Sequence, residues 1–265
     1  MNPFYALLWD RPRAWAILLI AVLVTVLFIG VLSQLLTPGG AAALVILDYQ
    51  GTPPPNYPFL YPFTIQNLTH LLLFLGLGEV FRRWRAAAHE RALLAQGLLP
   101  EEYSVVLQSH DLPPIRARVA PLHDGERGFL PGLIDLCILQ FLASRSVDQT
   151  VSVLNSSLEL LMHRVDLRYH LLRYLTWAIP TVGFIGTVIG ISLALAMIDP
   201  SAGVQPLGEI ALALGVSFYT TLVALVESAI LVFFMNLVQV REELAVNDAG
   251  HYTLTNLINR LYAGG

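Results

Sequence analysis

The run 14–36 contains no charged side chain. An apolar helix of that length matches the hydrocarbon layer of a bilayer, which is about 30 Å thick and takes roughly 20 helical residues to cross. Three further runs meet the same requirement: 59–80, 175–198 and 207–238. The second is the weakest, because Gln66, Asn67 and His70 interrupt its first half and Glu79 marks its end. The last exceeds a minimal span and is expected to continue into water beyond Val238. Composition points the same way. Of 265 residues 55% are hydrophobic and 13% charged, and the mean hydropathy of +0.64 is foreign to a domain with a polar exterior. The expected fold class is an all-α membrane protein with four transmembrane helices.

All 15 basic residues are arginine, and their placement sets the topology. Arg11 and Arg13 precede the first run, which is longer than a signal-peptide core and lacks a convincing cleavage site, so it reads as a retained anchor. The loop 37–58 and the turn 199–206 hold no basic residue, while the remaining arginines lie between Arg82 and Arg173 or follow the last span at Arg241 and Arg260. Basic residues flanking short loops mark the cytoplasmic side. The expected organisation is a transmembrane hairpin at 1–80, a cytoplasmic helical region at 81–173, a second hairpin at 174–238 and a cytoplasmic helix or tail at 239–265. Both termini then lie in the cytoplasm of a multi-pass protein of a bacterial inner membrane.

Within 81–173, Pro100-Glu101-Glu102 resembles a helix start, with acids in the first turn. Pro113-Pro114 reads as a break and Asp124-Gly125-Glu126 as a loop. Val147, Val151, Leu154, Leu158, Leu161 and Val165 recur at helical spacing and predict one continuous helix leading into the third span. The loop 37–58, with Pro53-Pro54-Pro55, is too short for a domain. The net charge of −4 is diffuse and offers no face for nucleic acid. The single cysteine, Cys137, excludes an intramolecular disulfide and a CxxC metal site, and its apolar setting reads as a buried structural thiol. No cofactor or metal site is expected.

Two faces carry the candidate chemistry. In the third span Gly183, Gly186, Thr187, Gly190 and Ala194 fall on one face, and Gly186-xxx-Gly190 permits close helix approach. In the fourth, Ser217, Thr220, Thr221, Ala224, Glu227 and Ser228 form a polar stripe. With the two helices running in opposite directions, Thr187 and Thr221 fall at similar depth. Their hydroxyls either line a path for protons or hydrated ions or bond to their own helix backbone at i−4. Glu227 lies six residues past Thr221, about 9 Å toward the cytoplasm. A carboxylate there costs several kcal/mol unless it is protonated, paired or wetted. It is either part of an exit path or a boundary residue paired with an arginine. Glu209 is expected near the outer surface, and His70 is expected to bond to a neighbouring helix.

Gly186-Thr187-Val188-Ile189-Gly190-Ile191, followed by Ala213-Leu214 and Thr221-Leu222-Val223-Ala224-Leu225, resembles the paired signature of the MotA/TolQ/ExbB proton-channel superfamily. The resemblance covers 174–238, and the four-span plan is similar to that of MotA. It implies a homo-oligomeric ring, a pentamer, around a single-span partner dimer resembling MotB, TolR or ExbD. That partner supplies a transmembrane aspartate that is protonated and released; Thr187 and Thr221 match the threonines whose hydroxyls line that path. The transported ion would be H+, with Na+ open. Three departures mark a divergent branch: Ala224 stands where glycine is usual, the spacing from Ala213-Leu214 to Thr221 is longer, and Glu227 is unusual. The expected function is the ion-channel stator subunit of a motor driven by proton-motive force. A non-conducting scaffold or sensor that uses the same small-residue faces for packing is the alternative. A secondary transporter lacks its repeat here, and an enzyme lacks any nucleophile–base set or phosphate loop.

Overall fold

The computed structural model describes residues 12–50, 60–102, 104–123, 128–198 and 207–262, with the side chains of 12–15 excluded. Arg11, Pro53-Pro54-Pro55, Asp124-Gly125-Glu126 and the turn 199–206 lie outside the described residues, as does the Arg13 side chain. The α-helices among the described residues are α1 Pro12–Leu35, α2 Ala41–Leu47, α3 Ile65–Leu94, α4 Leu112–Val119, α5 Phe129–Ser144, α6 Val147–Arg168, α7 His170–Ala196 and α8 Leu207–Asn256. Among the described residues the one strand-like feature is an isolated bridge between Leu107 and Leu261.

Three stretches are long and apolar enough to cross a membrane: Ala16–Leu35, Val147–Ala196 and Leu207–Arg260. Leu23 and Leu27 on α1, Phe184 on α7 and Phe233 on α8 are each more than 60% exposed. Apolar side chains that face outward along such helices are solvated by lipid, and the chain is a multi-pass membrane protein. The run 59–80 is not among the three. Its helix, α3, begins at Ile65 and is diluted by Gln66, Asn67 and His70.

The chain divides into two compact units, Met1–Val80 with Leu171–Met235 and Phe81–His170 with Asn236–Gly265, and α3 and α8 contribute to both. In the first unit α1 and α3 are antiparallel: Phe28 meets the rings of His70 and Phe74, while Ile17 and Ala21 lie against Gly78. α3 and α8 are parallel, with His70 against Glu227 and Gly76 against Leu231.

The second unit has its core in α5 and its neighbours, where Leu112, Ile134, Cys137, Ile138, Phe141, Leu154 and Leu257 are fully or almost fully buried. Burial pushes the Cys137 thiol up to about 12, so it stays protonated. Glu90 seals the start of α5, since its two carboxylate oxygens accept from the backbone N–H groups of Gly128 and Phe129, both at 2.7 Å. These are donors that a helix start leaves open. Gly128 sits at φ 81°, and a Cβ there would stand 2.7 Å from the Leu122 carbonyl. Buried Glu242 accepts from the Arg168 guanidinium and the Tyr169 hydroxyl.

Three local expectations change in this unit. Pro100-Glu101-Glu102 starts no helix; its carbonyls instead accept from the Arg260 guanidinium. Pro113-Pro114 opens α4 rather than breaking the chain, because the first helical turn needs no N–H donors. The helix capped by Ser146 stops at Arg168, and Tyr169 separates it from α7.

Desolvation outweighs the two N–H donors and holds the Glu90 carboxyl above its ordinary value of 4.5. A raised carboxyl contributes stability that is full below 4.5 and is lost as pH rises through the raised value. The stability of the wild type relative to Glu90→Gln should therefore fall as pH increases across that window, as read by thermal unfolding of the detergent-solubilised chain at successive pH values.

Candidate functional site

α7 and α8 pack as an antiparallel pair with almost no side chain between their backbones. A Cβ on Gly183 would collide with Ala224 and stand 3.0 Å from the Thr220 carbonyl. One on Gly186 would lie 2.9 Å from both Thr220 Oγ1 and Ile65, and one on Gly190 would collide with Ser217. Ala194 and Ala224 are fully buried. In lipid there is no hydrophobic drive between helices, so this approach and the hydrogen bonds it permits hold the pair together.

The close approach brings the hydroxyls into one cluster. Thr187 Oγ1 lies 2.6 Å from Thr221 Oγ1, 3.3 Å from Thr220 Oγ1 and 2.8 Å from the Ser217 carbonyl, to which it can donate. Thr220 and Thr221 in turn lie 3.0 Å from the Gly183 carbonyl. The bonding is reciprocal, each helix offering a hydroxyl to a carbonyl of the other. The i−4 contact of Thr187, to Gly183, is the long one at 3.4 Å. Two hydroxyls also reach their own helix: Ser217 donates to the Ala213 carbonyl at 2.6 Å, and Thr220 Oγ1 lies 2.7 Å from the Ser217 carbonyl.

Thr187 and Thr221 also reach the outside. They form the polar floor of a groove of about 520 Å³ whose walls are Phe184, Phe218, Tyr219, Leu222 and Leu225. Phe184, Phe218, Leu222 and Leu225 are more than half exposed. Each hydroxyl carries one proton and more than one acceptor lies within reach, so the cluster can exchange hydrogen-bond partners without moving its backbone.

Pro180 lies inside α7 and has no N–H to give to the Thr176 carbonyl four residues back. Ser228 replaces the missing donor, its hydroxyl lying 2.8 Å from that carbonyl. Ser228 therefore has a backbone-sealing role that the polar-stripe reading did not identify. The proline was the available signal, since a kinked span must resatisfy the group it frees.

Glu227 is buried at 5% exposure and contacts His70 Nδ1 through Oε1. The second imidazole nitrogen, Nε2, is 2.9 Å from the Ile46 carbonyl. Glu227 thus pairs with a histidine inside the first unit. His70 bonds to a neighbouring helix, as the sequence led one to expect, and the identity of its partner was not legible. Glu209 lies in the first turn of α8. Among the described residues no group of three His, Cys, Asp or Glu is gathered to hold a metal.

Residues 134–249 match the MotA/TolQ/ExbB proton channel family. No curated protein and no solved structure matches the chain.

Two outcomes check the packing analysis. Gly183→Ala should destabilise the detergent-solubilised protein by about 1–3 kcal/mol through overpacking, and Ala224→Gly in the same chain should recover most of that loss in a double-mutant cycle. Ser228→Ala should cost about 1–3 kcal/mol by orphaning the Thr176 carbonyl, measured by thermal or denaturant unfolding.

Proposed function

The chain is a member of the MotA/TolQ/ExbB proton channel family through residues 134–249, and from that premise we propose that it is the ion-conducting stator subunit of a motor driven by proton-motive force. The observation that carries the reading is the joined hydroxyl cluster of Thr187, Thr220 and Thr221 at the floor of an outward-facing groove. A groove with apolar walls and a hydroxyl floor suits a partner transmembrane helix that bears one protonatable group. The walls accept the lipid-facing side chains of that helix, and the floor solvates its acid while a proton is taken up or released.

The partner is a single-span dimer resembling MotB, TolR or ExbD with a transmembrane aspartate, and copies of this chain surround it as a pentameric ring. α3 supplies the fourth span, because Gln66, Asn67, Thr69 and His70 are buried at 5% exposure or less, leaving Leu68 outward. Both termini and the helical region 81–173 are cytoplasmic, in a bacterial inner membrane. Ser217, Thr220 and Glu227 extend the ion path from Thr187 and Thr221, and Gly183, Gly186, Gly190, Ala194 and Ala224 form its packing face. Each proton that crosses releases about 2.3 kcal/mol per 100 mV. Discharging the partner's aspartate changes which ring position it prefers, and relative rotation follows. The ion is H+, and no cofactor takes part.

Native mass spectrometry of the chain co-expressed with its partner should show a pentamer around a dimer. In liposomes Thr187→Val and Thr221→Val should each abolish proton flux while that mass is retained. Wild-type flux in both variants returns the cluster to a packing role and favours a scaffold. Glu227→Gln should slow the flux, and an unchanged rate removes Glu227 from the path.

A further inference from the structure

Among the described residues, four buried side-chain atoms of the first unit have no hydrogen-bond partner: Gln66 Nε2, Gln66 Oε1, Asn67 Oδ1 and Glu227 Oε2. Gln66 is wholly buried, and Asn67 and Glu227 are each 5% exposed. Gln66, Asn67 and His70 lie on one arc of α3, at i, i+1 and i+4, and His70 joins that arc to Glu227 on α8.

The chemistry of these atoms selects their ligand. Three are acceptors and one, Gln66 Nε2, is a donor. A bare cation would serve the oxygens and repel the amide N–H, whereas water both donates and accepts. Burial without a partner is costly for each of them.

The contact beside them holds a proton. The Ile46 carbonyl only accepts, so His70 Nε2 carries hydrogen. Nδ1 then meets Glu227 Oε1 either as a neutral nitrogen facing a carboxylic acid or as an imidazolium facing a carboxylate. In both forms one proton lies between them and the pair is neutral overall. Neutrality suits burial inside a bundle that faces lipid. Among the described side chains of the first unit, the other titratable groups on or next to these elements are Asp48 and Tyr49 after α2, Tyr61 before α3, Glu79 on α3, Arg173 and Tyr174 on α7, and Glu209 and Tyr219 on α8. α1 meets the pair through Phe28.

We propose that Gln66, Asn67 and Glu227 Oε2 bind ordered water inside the bundle, and that this water opens the proton shared by His70 and Glu227 to exchange. The pair is then a hydrated proton-exchange site within each subunit, sharing Glu227 with the proposed ion path. His70, Gln66 and Asn67 thereby acquire a role that the channel assignment does not give them.

The test is water-edited solid-state NMR of the full-length 15N-labelled chain in lipid bilayers. Magnetisation from water should reach the side-chain nitrogens of His70 and Gln66 as quickly as it reaches exposed side chains. Absence of transfer to both, while exposed groups respond, overturns the proposal. Gln66→Met keeps the volume and removes the anchor, so the water signal at His70 should fall at least twofold; an unchanged signal overturns the part assigned to Gln66. Because the wild-type readout needs no partner, no proton flux and no variant, it stands or falls separately from the channel assignment.

Discussion

The backbone-to-backbone approach of α7 and α8 underlies the features of the site. Glycine at positions 183, 186 and 190 removes the side chains that would hold the helices apart. Only at that separation can hydroxyls on one helix reach carbonyls on the other, as Thr187 reaches Ser217 and Thr220 and Thr221 reach Gly183. A conventional spacing would leave each threonine to its own helix, and the cluster would not exist. Ala224, where the family pattern has glycine, fits because Gly183 faces it and leaves room for one methyl group.

The second constraint is that hydrocarbon supplies no hydrogen bonds, so a polar group in a span needs a partner within the protein or an enclosed water. The chain meets this locally at Ser33, Thr25 and Thr181, whose hydroxyls bond to carbonyls four residues back. Where local bonding fails, it recruits another helix. Pro180 frees a carbonyl and Ser228 takes it; Glu227 is covered by His70, and His70 by Ile46. The polar residues that interrupt the run 59–80, Gln66, Asn67 and His70, are ones α3 turns inward.

Legibility in the sequence followed the range of the interaction. The long apolar helices, the small-residue face and the pairing of the two threonines could be read, since each depends on periodicity or on the depth of a residue along a helix. Pro113-Pro114 and Pro100-Glu101-Glu102 were misread, because the same residues serve two ends. Proline is as much at home in a first turn as at a break, and a proline followed by acids starts a helix only if no distant group claims its carbonyls. Arg260, far along the chain, claims them.

The sequence by itself determined that this is a helical membrane protein, that three of its four apolar runs form helices long and apolar enough to span, and which faces of two helices carry small and hydroxylic residues. Those properties are set by neighbours within a few turns. The tertiary structure decided that Thr187 donates across the helix pair more closely than to its own backbone, that Ser228 repairs the gap left by Pro180, and that Glu227 is held by His70 rather than by an arginine. Each of these joins residues many positions apart. Which partner wins depends on how closely two helices approach and which arcs they turn toward each other, and neither quantity is encoded in the periodicity of either helix alone.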